Sequence, residues 1–121
     1  METILKILFF IGLASLISAC GDSTSKPPPI AGDFLVPSDS KAQYFILERG
    51  GSRNESTIVT KRVGSSGESY SKRLYNCSEN TVKYLASSST LSGMANSKPD
   101  LRMGAIVHNS IAYHVKLQAC K

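Results

Sequence analysis

Residues 57 to 86 decide the fold: Thr57 to Val63 reads TIVTKRV, Gly64 to Gly67 reads GSSG, Ser69 to Cys77 reads SYSKRLYNC, and Thr81 to Ala86 reads TVKYLA. The first run is rich in β-branched residues, which suit a pleated, half-buried surface, and it reads as a strand. The glycine-flanked serines make a flexible loop, and the next run is a further strand. Ser78-Glu79-Asn80 turns the chain into TVKYLA, so these last two strands form a hairpin. Upstream, Tyr44-Phe45-Ile46-Leu47 reads as a buried strand that ends where Gly50-Gly51 permits a turn. Together the four runs predict an antiparallel meander.

Downstream the strand pattern fades. In Ser87 to Gly104, Leu91, Met94 and Ala95 form at most one helical turn, which Lys98-Pro99-Asp100 breaks. After Ile106-Val107, Ser110 can cap a helix running to Cys120, with Ile111, Val115 and Ala119 at i, i+4 and i+8 along one face. The same segment also alternates as a strand through Ile111, Tyr113, Val115 and Leu117. Taking the helix, the fold class is α+β: a small antiparallel β-meander with one C-terminal helix, stapled by one disulfide.

The staple follows from the cysteines. There are three, Cys20, Cys77 and Cys120. Cys20 belongs to a different motif, treated next, which leaves an even pair in an exported chain, and such a pair reads as a disulfide. Closing a loop of about 44 residues between Cys77 and Cys120 removes unfolded-state entropy worth about 4 kcal/mol. The gain matters because a domain of about 80 residues is marginal on its core alone.

The amino-terminal segment is a targeting signal. Met1 to Lys6 carries one lysine, Ile7 to Leu16 is an apolar run (ILFFIGLASL), and small residues precede Cys20. The run is too short to span a bilayer core of about 30 Å, but it fits a signal peptide. Ile17-Ser18-Ala19-Cys20 resembles the lipobox of bacterial lipoproteins. That resemblance implies cleavage after Ala19 and a covalent lipid, a thioether diacylglycerol with palmitate-type chains, on Cys20. Two or three acyl chains hold a protein stably on a membrane. Gly21, in place of an Asp, implies an outer-membrane destination by enteric-type sorting, with the face it displays left open.

These signals divide the chain into residues 1–19 as signal peptide, 20–40 as lipidated cysteine and Pro/Ser-rich tether, and 41–121 as one compact exported domain. Pro27-Pro28-Pro29 favours extended polyproline geometry, and such a tether reaches roughly 60 Å. Phe34-Leu35-Val36 reads either as a short edge strand docked on the domain and closed by Pro37, or as part of a structureless tether.

The formal net charge is +5 at pH 7. Glu2 cancels Lys6 in the signal, and the tether sets Lys26 against Asp22, Asp33 and Asp39, so the basic surplus falls on the domain. Its focus is Arg49, Arg53, Lys61, Arg62, Lys72 and Arg73. Lys61-Arg62 and Lys72-Arg73 flank the glycine loop with Tyr70 beside them. Because neighbours along a strand face opposite ways, about half of this set can share one patch. The candidate binding residues are Lys61, Arg62, Tyr70, Lys72 and Arg73, and an anionic surface is their natural partner. Clustering of like charge also costs a little stability.

With the cysteines placed, Ser71 to Lys121 resembles the surface-adhesin protein E family of small Gram-negative lipoproteins. The shared arrangement is Tyr75-Asn76-Cys77 at a strand end, the aromatic-bearing strand Thr81-Val82-Lys83-Tyr84, Ile106 shortly before Ser110, and Cys120 followed by Lys121. Family members often carry a Trp before that Ile and a Pro-Gly before that Ser, whereas this chain has no Trp and reads Val107-His108-Asn109. The resemblance implies a β-rich, disulfide-linked domain with a packed helix that binds host extracellular proteins. Only the two cysteines match well enough to transfer a role.

Enzyme constellations are sparse. His108 and His114 suit neither HExxH nor a facing zinc pair, and read as surface or tether-facing histidines. The serines from Ser87 to Ser92 lack a G-x-S-x-G elbow, and Gly64-Ser65-Ser66-Gly67 lacks the lysine of a phosphate loop. No enzyme activity, metal or cofactor beyond the lipid on Cys20 is expected. The expected function is a surface binding module, adhesin-like, for a host protein or acidic glycan and not for nucleic acid. The alternative is a structural or exclusion lipoprotein of an envelope secretion or conjugation machine.

Overall fold

The computed structural model describes residues 32–121; the segment read as a signal peptide, Cys20 and the expected tether as far as Ala31 lie outside the described residues. Five strands form one antiparallel sheet in sequence order: β1 (Gln43–Ser52), β2 (Glu55–Gly64), β3 (Gly67–Asn76), β4 (Thr81–Ser88) and β5 (Gly104–Ala105). Helix α1 (Ile111–Ala119) follows, and short 3-10 turns lie at Pro37–Asp39 and Ser92–Asn96. No helix among the described residues is long and apolar enough to cross a membrane.

The α+β class expected from the sequence is corrected by this architecture, which is mainly antiparallel sheet. The helix has nine residues against ten in each of the first three strands. At about 1.5 Å per helical residue and about 3.3 Å per strand residue, it spans less than half a strand's length. It cannot form a layer of its own. Irregular chain ahead of β1 covers the rest of the core: Phe34 makes a single antiparallel bridge to Tyr44, and Phe34 and Val36 are buried while Leu35 points outward. The Asp33 amide donates to the Tyr44 carbonyl at 2.7 Å, and its carboxylate accepts from the Ile46 amide at 2.7 Å. The packed body therefore begins ahead of Lys41.

Register divides the sheet into two faces, since residues paired across strands point the same way. Tyr44 pairs with Arg62, Ile58 with Arg73, and Ser56 with Tyr75, which in turn pairs with Val82. The buried cluster of Phe34, Val36, Tyr44, Ile58, Tyr75, Ile106 and Val115 lies on this face. The opposite face carries Phe45, Val59, Lys61, Tyr70, Lys72 and Leu74, none of them in that cluster.

The loops explain the strand ends. Gly50-Gly51, expected to turn the chain, lies within β1, and the turn is made by Arg53-Asn54. Gly51 has φ +81°, and a Cβ there would sit 1.9 Å from the Glu55 carbonyl oxygen, so the glycine serves close backbone approach beside the turn. Ser65-Ser66 closes β2 onto β3 between Gly64 and Gly67. Between β3 and β4, the Asn76 side chain accepts from the Ser78 and Glu79 amides at 3.1 and 3.0 Å, and Asn80 takes φ 56°.

The C-terminal segment is helical because its stripe and its cap agree. The Ser110 hydroxyl accepts from the Tyr113 amide at 3.1 Å. Val115 is fully buried, with Ile111 and Ala119 packed against the core, and Leu117 is exposed, as a strand would not have it. The Tyr75 hydroxyl donates to the Ala112 carbonyl at 2.7 Å, seating the helix on β3. Cys77 and Cys120 form a disulfide with Cα atoms 5.8 Å apart, joining the end of β3 to the end of α1.

Candidate binding surface

The alternation within each basic dipeptide separates the five candidate residues. Lys61, Tyr70 and Lys72 lie on the open face, and Arg62 and Arg73 lie on the core face. Lys61 and Tyr70 are direct cross-strand partners, and Lys72 sits beside Val59 and Ala86. Lys83, opposite Leu74, extends the set, so Lys61, Lys72 and Lys83 occupy diagonal positions across β2, β3 and β4. Sequence reading did not single out Lys83. Its signal is the β3–β4 pairing itself, interrupted by a register shift between Lys72 and Arg73.

Glu68 is the local anion. The Lys61 ammonium lies 3.2 Å from its carboxylate and 5.9 Å from the Tyr70 ring centroid, and the Tyr70 hydroxyl donates to the same carboxylate at 3.1 Å. The Lys61 contact, aided by Tyr70, holds the Glu68 carboxyl below its usual range, and Glu68 in turn raises Lys61. A cation and a phenol thus already converge on one carboxylate at an exposed site. Glu48, the β1 partner of Val59, adds a second acidic group to this face.

The two core-face arginines do structural work. Arg62 makes a two-pronged ion pair with Asp39, Nε to Oδ2 at 2.6 Å and a terminal nitrogen to Oδ1 at 3.0 Å, and the Tyr44 hydroxyl donates to the same carboxylate at 2.5 Å. Arg62, then Tyr44, holds Asp39 below the usual carboxylate range, while burial and the Asp39 bond push Tyr44 up to about 12. Arg73 is only 4% exposed. Its guanidinium donates to the Thr60 hydroxyl at 3.1 Å and the Tyr84 hydroxyl at 3.0 Å and lies 4.7 Å from the Tyr84 ring centroid. Its Nε has no partner among the described residues.

The histidines form an aromatic group: His108 and Tyr113 centroids are 4.7 Å apart, and Tyr113 and His114 5.1 Å. His108 is exposed and His114 half-buried. Among the described residues no three His, Cys, Asp or Glu side chains gather as a metal site would require. No family model, curated protein or solved structure matches the chain.

Proposed function

We propose that this chain is an outer-membrane lipoprotein, anchored through Cys20, whose folded module is an adhesin-like binding unit for an acidic host protein or glycan. The observation that carries the reading is the diagonal of Lys61, Lys72 and Lys83 on the sheet face that contributes nothing to the core cluster, with Tyr70 beside it. Partly exposed lysines with a partly exposed apolar neighbour such as Leu74 offer both charge and contact area, and Tyr70 supplies area at small entropic cost. The resemblance of residues 71–121 to the surface-adhesin protein E family supports the same reading.

The test uses the full-length protein in nonionic detergent on immobilised heparin. Retention is expected to weaken as salt rises from about 0.05 to 0.5 M, as the Debye length falls from roughly 14 to about 4 Å. Reversal of Lys61, Lys72 and Lys83 to Glu is expected to remove most of it, and reversal of exposed Lys98 and Arg102 to remove little. Equal losses would reduce the effect to net charge and overturn the reading. Lipidation is checked separately: labelled palmitate is expected on the wild type and absent from Cys20→Ser.

A further inference from the structure

A second basic feature lies away from the lysine diagonal, where the tip of the β1–β2 hairpin meets the end of α1. It is a cleft of about 330 Å³ whose lining includes Arg49, Arg53, Lys121, Ser52, Ser56 and the Cys77–Cys120 disulfide. Gly50 and Gly51 complete one wall with backbone in place of side chains.

The walls are fixed. The disulfide ties the α1 side to the end of β3. On the hairpin side, the Cys77 amide donates to the Arg53 carbonyl at 3.0 Å, and the Ser78 hydroxyl to the Asn54 side chain at 2.8 Å. The Ser56 hydroxyl donates to the Ser52 carbonyl at 2.6 Å across the same tip. A cleft held in this way costs little ordering when a ligand enters.

Its side-chain charge is one-sided. Arg49, Arg53 and Lys121 are among its lining residues, and no Asp or Glu is. Glu55, between the turn and Ser56, is not among the lining residues. Neither Arg49 nor Arg53 makes an ion pair among the described residues; Arg49 reaches only the Gln118 side chain, at 3.5 Å. This differs from the lysine face, where Glu68 already occupies Lys61, and from Arg62, which Asp39 holds.

We infer that this cleft binds a phosphate or sulfate ester of a sugar, with Arg49 and Arg53 gripping the oxyanion and Lys121 adding charge. Guanidinium groups match tetrahedral oxyanions with paired donors, and the volume exceeds that of a bare ion, leaving room for the sugar that carries it. The site is separate from the lysine diagonal, so its failure and that of the proposed function are distinguishable.

The experiment titrates the full-length protein in nonionic detergent, at low salt, with glucosamine 1-phosphate, glucosamine 6-sulfate and inorganic phosphate, followed by NMR shifts and calorimetry. Saturable binding of at least one sugar ester is expected, with shifts at Gly50, Gly51 and Ser52. Arg49→Gln with Arg53→Gln is expected to weaken it by about tenfold or more. Arg49→Lys with Arg53→Lys keeps the charge but loses the fork, and should fall between. Lys61→Gln with Lys72→Gln should leave it within about twofold, because those residues lie on the other face of the sheet and line no part of the cleft. Preference for the phosphate ester would assign the site to an envelope glycolipid, and preference for the sulfate ester to a host glycan. No saturable binding, or equal weakening by both Gln pairs with folding and disulfide intact, would overturn the inference.

Discussion

Arg62 on β2 and Asp39 in the turn ahead of β1 meet in a two-pronged ion pair across 23 residues of sequence, and this pair clamps the amino-terminal segment to the sheet. Asp39→Ala is expected to destabilise the domain by about 1–2 kcal/mol in urea unfolding, discounted for the partial exposure of Arg62. Phe34 and Val36 should gain amide exchange in the same variant, because the clamp closes the segment that buries them.

The same contact sets a pH dependence at both ends. Asp39 is lowered from 3.8 in the fold, so its contribution is fully present above about pH 4 and is lost as pH falls through the lower folded value. Tyr44 is raised from 10.0 to about 12, so its contribution is full below pH 10 and is lost as pH rises through 12. Unfolding measured against pH should show both losses. Asp39→Asn should flatten the acid limb, and an acid limb unchanged in that variant would exclude Asp39 as its source.

Arg73 is a buried cation without a carboxylate among the described residues. Arg73→Met, which keeps volume and removes the charge, is expected to leave stability unchanged or raise it. Arg73→Ala should cost about 2–4 kcal/mol through the cavity it opens. Tyr84→Phe, which removes one acceptor from the guanidinium, should cost about 1–3 kcal/mol. Equal destabilisation by Met and Ala would show that the charge itself is needed.

Glu68 competes with any acidic ligand for Lys61. Glu68→Gln should therefore strengthen retention on heparin, shifting elution to higher salt. Unchanged elution would place Lys61 outside the contact. Arg62 and Arg73 are poor probes of the same surface, since reversing either removes core-face contacts and tests folding.

Removing the disulfide by Cys77→Ala with Cys120→Ala should lower stability by about 2–5 kcal/mol. Mass spectrometry of non-reduced peptides from the native protein should recover the Cys77–Cys120 link. Two alkylatable thiols in that protein would contradict it.

How much of this was legible varied with the range of the interaction. β2, β3, β4 and α1 follow from local periodicity, and Ser110 announces its helix. Phe34 and Val36 were legible only as one of two readings, a docked edge segment or a structureless tether, because a stretch rich in Pro, Ser and Asp carries no strand period. The bridge to Tyr44 at the edge of β1 decides for docking. The Gly50-Gly51 pair carries the same turn signal whether it forms the turn or lies just before it, and the hydrogen bonding of Arg53 decides. β5 has two residues and exists only because Val82 and Thr81 offer it a partner. Strand alternation halves the basic set, yet which half is open depends on where the helix lands. The Arg49–Arg53 cleft needs the disulfide and the hairpin tip together, so residue spacing gave no warning of it.

The position of the staple also bears on the order of events as the chain folds. The main strands pair only with sequence neighbours, a topology of short loop closures that forms quickly as the chain emerges. Cys120, by contrast, follows every strand and the helix, so the covalent link closes only once all of them have been made and an oxidant reaches the pair. In that interval the sheet stands with Ile58 and Tyr75 without their helical cover, open to chaperones and proteases. Oxidation thus acts as the final checkpoint between a folded chain and a durable one, and the protein refolded under reducing conditions should be digested faster by protease than the oxidised protein.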